Sequence, residues 1–274
     1  MLLLAACGSP PALPLTGAGP TPKAVATPKP DLVARLDDLP QGVVRLHLDP
    51  ATRRVVAHVD AQGLVPATAH AVQLRRGTCL QRGGVLVTAF ADALSGSSGL
   101  LNADVRATSS TGGAIPAGVH LELYLTAAAL LGAQATPLAC ADIAADSPTA
   151  AVGLYPTPGF RPYGTASLVY RAASASASIG VALQELVGSS VHAVQILAGP
   201  CAAPGALLHA AGDVVADAGG VVSTTQVVGG LSAAPPRSGW IVVVRYGPTS
   251  AIGTAAKPSP QAQPILCGTL APPA

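Results

Sequence analysis

The residues of this sequence best equipped for chemistry are histidines and cysteines, and they recur in a fixed frame. Ala69-His70-Ala-Val-Gln73-Leu-Arg75-Arg-Gly-Thr-Cys79 returns as Val191-His192-Ala-Val-Gln195-Ile-Leu197-Ala-Gly-Pro-Cys201. In both stretches the His precedes the Gln by three residues and the Cys by nine. An imidazole can ligate a metal, accept a proton or hold a backbone carbonyl, and a thiol can ligate a metal or close a disulfide. His47, His58, His120 and His209 are scattered, with no His-x-His or His-x-x-x-His spacing between them. By side-chain alternation His58 and His120 fall on outer faces and could meet in space, against the commoner outcome of a surface histidine satisfied where it stands. No Gly-x-Ser-x-Gly, phosphate-binding loop or Cys-x-x-Cys sequence offers another chemistry.

The recurrence reads as one β-rich unit written twice, which decides the architecture before any single motif does. The 274 residues divide into a segment 1–31, a first domain 32–145, a linker 146–163 rich in Pro and Gly, and a second domain 164–274. Half of the chain is apolar but only 3% is aromatic, and 30 Gly and 26 Pro suit short strands broken by turns. Charged residues make up 10% with a formal net charge of +2 and no Lys/Arg run, so nucleic acid is not an expected partner. No apolar stretch reaches the ~18 residues that a membrane-spanning helix needs.

Alternation supplies the elements. Residues 43–48 and 54–60 flank Asp49-Pro50 as an opening hairpin, and 69–75 form the central strand, with Val72 and Leu74 on one face and Gln73 and Arg75 on the other. Further strands are expected at 85–90 and 101–108. Residues 119–125 alternate most cleanly, placing Val119, Leu121, Leu123 and Leu125 inward and His120, Glu122 and Tyr124 outward. A short helix over 125–133 and a closing strand at 137–143 complete the unit. The second copy repeats it with strands at 167–175, 178–186, 191–197, 239–246 and 264–270.

Four cysteines remain after Cys7, one early and one late in each copy: Cys79, Cys140, Cys201 and Cys267. Their even distribution argues for one disulfide per domain, the alternative being buried free thiols. A loop of about 60 residues closed in this way stabilises by on the order of 4 kcal/mol in the chain-entropy account, which matters in a core poor in aromatics.

His-Ala-Val-Gln-Leu-Arg with Gly77-Thr-Cys79, and Leu138-Ala-Cys140-Ala-Asp-Ile143, resemble the central metal-site strand and the closing strand of copper/zinc superoxide dismutases, and still more the related bacterial modules of the chordin-domain (CHRD) type. The resemblance spans about 100 residues in each half. It implies an all-β chain of two tandem Greek-key β-sandwich or flattened-barrel domains, with Cys140 bonded to Cys79 and Cys267 to Cys201.

The same resemblance implies that the metal chemistry is gone. The family's outer-face His-x-His falls on Gln73 and Arg75 in the first copy, and on Gln195 and Leu197 in the second. A further copper-ligating His falls near Tyr124 and Arg245, and the substrate-guiding Arg falls at Pro137 and Pro264. A guanidinium cannot ligate copper. His70 and His192 match a strand histidine whose role in the family is structural. The vacated face is polar in the first copy and apolar in the second, where Leu197, Ile241 and Val243 form an expected contact patch for the other domain or a protein partner, or else are ordinary β-branched surface. The expectation is a non-catalytic binding or structural protein without cofactor. The alternative is a copper/zinc-dependent dismutase or a copper-binding protein with ligands elsewhere.

At the N-terminus, Leu4-Ala5-Ala6-Cys7 resembles a bacterial lipobox, which implies lipidation of Cys7 and a membrane-anchored, extracytoplasmic protein at the cell surface or in the periplasm. Residues 8–30, rich in Pro, Ala, Thr and Gly, then read as a tether. The apolar stretch is short and lacks a basic leader, so translation is expected to start upstream of Met1.

Overall fold

A computed structural model describes residues 28–81, 84–127, 137–144, 146–157 and 161–274. Cys7, most of the tether and most of the expected 125–133 helix lie outside the described residues. Among them the chain is all-β, and no helix is long and apolar enough to cross a membrane.

In chain order the strands are β1 (Leu32–Asp38), β2 (Gln41–Leu48), β3 (Val55–Gln62), β4 (Ala69–His70), β5 (Val72–Arg76), β6 (Leu86–Ala89), β7 (Ala93–Leu94), β8 (Leu101–Arg106), β9 (Val119–Tyr124), β10 (Pro137–Asp142) and β11 (Val152–Pro156). The second half adds β12 (Tyr163–Arg171), β13 (Ser176–Gln184), β14 (Val191–Ala198), β15 (Leu207–Val215), β16 (Val222–Gly229), β17 (Trp240–Arg245), β18 (Gly253–Thr254), β19 (Lys257–Pro258) and β20 (Pro264–Thr269). Among the described residues sixteen of them build two eight-stranded antiparallel sheets, ordered β6-β5-β9-β10-β11-β2-β3-β8 and β15-β14-β17-β20-β1-β12-β13-β16, and β4 with β7 and β18 with β19 form two-stranded pairs.

The alternation of the sequence becomes burial. In β2 and β3, Val44, Leu46, Val55, Ala57 and Val59 face one core, and the hairpin between them closes where Asp49 Oδ1 accepts the Ala51 and Thr52 amides at 2.9 and 3.1 Å. The first sheet curls until its ends meet, Phe90 bridging to Ala107 with Thr108 N donating to Ala89 O at 2.8 Å. The second encloses its own core of Leu36, Leu168, Ile179, Leu183, Ile196 and Val242. Each sheet thereby surrounds a separate apolar interior.

The strand order departs from the expected division of the chain. β1, assigned from sequence to a first domain beginning at residue 32, pairs with β12 (Leu32↔Leu168, Leu36↔Gly164) and with β20 (Asp37↔Cys267) of the second sheet. Conversely, β11 falls in the expected linker 146–163, yet pairs with β10 (Cys140↔Tyr155) and β2 (Val152↔Val44) of the first sheet. The two halves exchange their opening strands. β1 ends at Asp38 and β2 begins at Gln41, so the chain passes from the second sheet to the first within Leu39-Pro40.

A smaller correction concerns the second opening hairpin. Its first strand starts at Tyr163, inside the expected linker, and the turn falls at Ala172–Ser174, a single 3-10 turn closed by Ala175 at φ 44°.

Candidate functional site

The positions read as vacated metal ligands lie on the outer face of the central strands, the face turned from each core. In the first sheet the register sets Gln73 beside Glu122, Arg75 beside His120, and Glu122 beside Cys140. Residues directly opposite on antiparallel strands project to the same side, so four polar side chains and one half of a disulfide share a patch.

Sequence alternation turns His120, Glu122 and Tyr124 to solvent. The structure buries all three, with 0%, 4% and 2% of their surface exposed, and every residue of β9 is buried. At the His120 end of β9 the loop after β5 crosses the outer face: Cys79 is bonded to Cys140 and donates its amide to Asp142 Oδ1 at 2.7 Å, Asp142 stands opposite His120, and Gly84 O accepts from Arg75 Nη1 at 2.7 Å.

Burial of so many polar groups is tolerated because they satisfy one another. Glu122 is the hub. Its Oε2 takes the Arg75 guanidinium at 3.0 Å and the Tyr124 hydroxyl, and its Oε1 lies 3.2 Å from His120 Nε2. Arg75 also donates from Nε and Nη2 to Gln73 Oε1 at 3.0 and 2.8 Å. Burial, reinforced by the hydrogen bond to Glu122, pushes the Tyr124 phenol well above its usual range, so it stays a donor. His120 Nδ1 is buried without a hydrogen-bond partner.

The second sheet keeps the frame and moves the charge. Gln195 stands beside Val243, and Val243 beside Cys267, so Val243 occupies the place of Glu122. The cation comes from the neighbouring strand: Arg245 donates from Nε to Gln195 Oε1 at 2.9 Å and from Nη1 to Ala262 O at 2.8 Å, and burial brings its pKa down to about 10. Leu197, Ile241 and Val243, expected as a contact patch for the other domain or a protein partner, are buried with Leu39 of the crossover against the Cys201–Cys267 disulfide. A segment leaving the second sheet for the first thus covers the apolar face.

His70 and His192 do the same thing in the two halves. Each ring holds a backbone carbonyl through Nδ1 at 2.9 Å, Tyr124 O for His70 and Arg245 O for His192, and burial lowers the pKa of both. Ser190 Oγ lies 2.6 Å from His192 Nε2, whereas His70 Nε2 is buried without a partner. The remaining histidines are apart from both sites: His58 pairs with Asp104 at 2.9 Å on the surface, His47 is exposed, and His209 lies against Trp240. Both disulfides, Cys79 with Cys140 and Cys201 with Cys267, have the pairing that the resemblance implies.

Two features escaped the sequence. Gln263, fully buried, links the sheets through Gly63 and Val65; its only local signal is a Gln before the Pro of the closing strand. Tyr155 and Arg161 border a groove of about 440 Å³ with Cys79, Leu80 and Glu185, and both sit in the stretch read as linker. Among the described residues no group of three or more His, Cys, Asp or Glu side chains is placed to hold a metal. No protein-family model matches the chain, and neither does any curated protein.

Proposed function

We propose that this chain is a non-catalytic binding or structural protein that works outside the cytoplasm, tied to a membrane through lipidated Cys7. In this reading its two units are similar in plan to the Greek-key domains of superoxide dismutases and CHRD modules, with the metal positions given over to structural hydrogen bonding. One observation carries it: Gln73, Arg75, Glu122 and Tyr124 consume one another's donors and acceptors in a buried network. Ligating a metal there would require breaking an ion pair whose carboxylate is buried and has its partners within the protein. Two disulfides accord with an oxidising compartment.

Loading the purified protein with copper and zinc, dialysing, and measuring metal content and superoxide consumption tests this directly. Substoichiometric metal and no activity are expected. Tight stoichiometric copper would establish the competing reading, a copper/zinc-dependent dismutase or copper carrier, which the unpartnered Nδ1 of His120 beside Glu122 favours. Fractionation of cells carrying wild type and Cys7→Ala tests the anchor, with release of the variant from the membrane as the expected result.

A further inference from the structure

Arg245 is a half-buried cation without a counter-ion. No carboxylate lies within 4.0 Å of it, and all of the chain's Asp and Glu residues are among those described, so no acid elsewhere in the chain is left to fill the role. The equivalent face of the first sheet shows what is missing, since there Glu122 neutralises Arg75 at 3.0 Å and Val243 takes the place of Glu122 in the second. A charge held partly out of water without a partner keeps an unmet attraction for an anion.

The guanidinium is held but not saturated. Nε is fixed by Gln195 and Nη1 by Ala262 O, which sets the plane of the fork. Nη2 has no acceptor among the described residues, yet it is not among the fully buried unpartnered atoms, so it reaches solvent at the edge of the covered apolar face. Val243, two residues before it on the same strand, is fully buried, and an apolar neighbour lowers the local dielectric, which strengthens attraction for a negative group arriving from outside. A planar fork offering a free edge suits a planar acceptor with two oxygens.

We infer that Arg245 is the anchor of a carboxylate-binding site in the second unit, with Gln195 and the Ala262 carbonyl as positioning groups. The ligand class is an organic carboxylate, free in solution or carried as the C-terminus of a peptide. This site stands whether or not the metal positions are silent, because it rests on the missing counter-charge alone.

The test uses the full chain at constant ionic strength, with chloride progressively replaced by acetate and thermal unfolding as readout, since a ligand of the native state raises the melting temperature saturably. Wild type is expected to show a saturable rise. Arg245→Met is expected to lose that rise entirely, while Arg237→Met, which removes an exposed guanidinium, keeps it. Equal rises in all three proteins, or no rise in wild type, would overturn the site. Should Arg245→Met fail to fold, arginine Nε–H spectra of wild type decide: one resonance moving saturably with acetate supports the site, and uniform drift of all of them overturns it. A short peptide with a free C-terminus, run beside its amidated twin, separates the two sources; binding of the free-acid form alone assigns the peptide carboxylate, and binding of acetate alone assigns the small molecule.

Discussion

Gln263 donates from Nε2 to the carbonyl of Gly63, 200 residues earlier in the chain, at 2.6 Å, and its Oε1 accepts the Val65 amide at 3.1 Å. One fully buried side chain thus satisfies two backbone groups of the first half from the foot of the closing strand of the second. Replacing it with Leu strands a carbonyl and an amide away from water. The expected cost is about 1–3 kcal/mol, read from urea unfolding followed through the fluorescence of Trp240. An unchanged midpoint would mean that the two sheets do not depend on this joint.

Arg75 and Glu122 form the ion pair at the centre of the buried network. Glu122→Gln is expected to destabilise by about 3 kcal/mol, toward the low end for a broken buried pair because Arg75 keeps some contact with water. Removing both charges as Arg75→Met with Glu122→Met should recover most of the loss. A double-mutant cycle in urea measures the difference, and purely additive costs would count against the network as drawn.

The pH dependence follows from His70 and His192, whose burial lowers their pKa below the ordinary 6.5. The unfolded chain takes up protons on these rings at a higher pH than the native protein does. Their contribution to stability is therefore fully present above 6.5 and is lost as pH falls through the lowered native values. Unfolding midpoints measured from pH 8 downward should fall below about 6.5, and the slope should flatten in His70→Gln and His192→Gln. A slope unaffected by both substitutions would assign the acid sensitivity elsewhere.

The exchanged strand makes a local prediction. Deleting residues 28–38 from the full chain uncovers the edges of β12 and β20 that β1 pairs with, and leaves β2 and β3 fully paired. Hydrogen exchange should accelerate at the β12 and β20 amides and stay slow in the β2–β3 hairpin. Uniform loss of protection would show that the sheets fold as one unit.

The Cys79–Cys140 disulfide closes a separation of 61 residues and also pins the loop after β5 beside Glu122, which accepts from the Tyr124 hydroxyl. Replacing both with Ser should cost about 2–5 kcal/mol and raise solvent exposure at Tyr124, detectable as a drop in the pH at which its phenol ionises. Normal titration shift without the disulfide would mean that the loop holds its place unaided.

Much of this was legible in order along the chain. The repeated His-Ala-Val-Gln frame and the spacing of the four late cysteines imply two equivalent units and one cross-link in each, because equivalent sequence makes equivalent local structure. Alternating apolar residues mark β2, β3, β5, β9 and their counterparts, since a strand's period of two can be read without knowing its neighbours. What a strand faces is different. His120, Glu122 and Tyr124 look outward by periodicity, and only the tertiary structure, with a cross-linked loop at the His120 end and charges that meet on that face, buries them.

The sequence by itself determined the central alternating strands, the repeated frame, the cysteine pairing by likeness, and the identities of the side chains at the altered site, but not β1 or β11. Tertiary structure alone decided which sheet each opening strand joins, since the alternation of residues 32–38 fits either core and the pairing partners lie more than 100 residues away. It also decided the charge balance at the site. Arg75 and Arg245 carry the same guanidinium, yet Arg75 finds Glu122 on the neighbouring strand at 3.0 Å while Arg245 has no carboxylate within 4.0 Å, and Coulomb attraction depends on distances between strands, which no single stretch of chain contains.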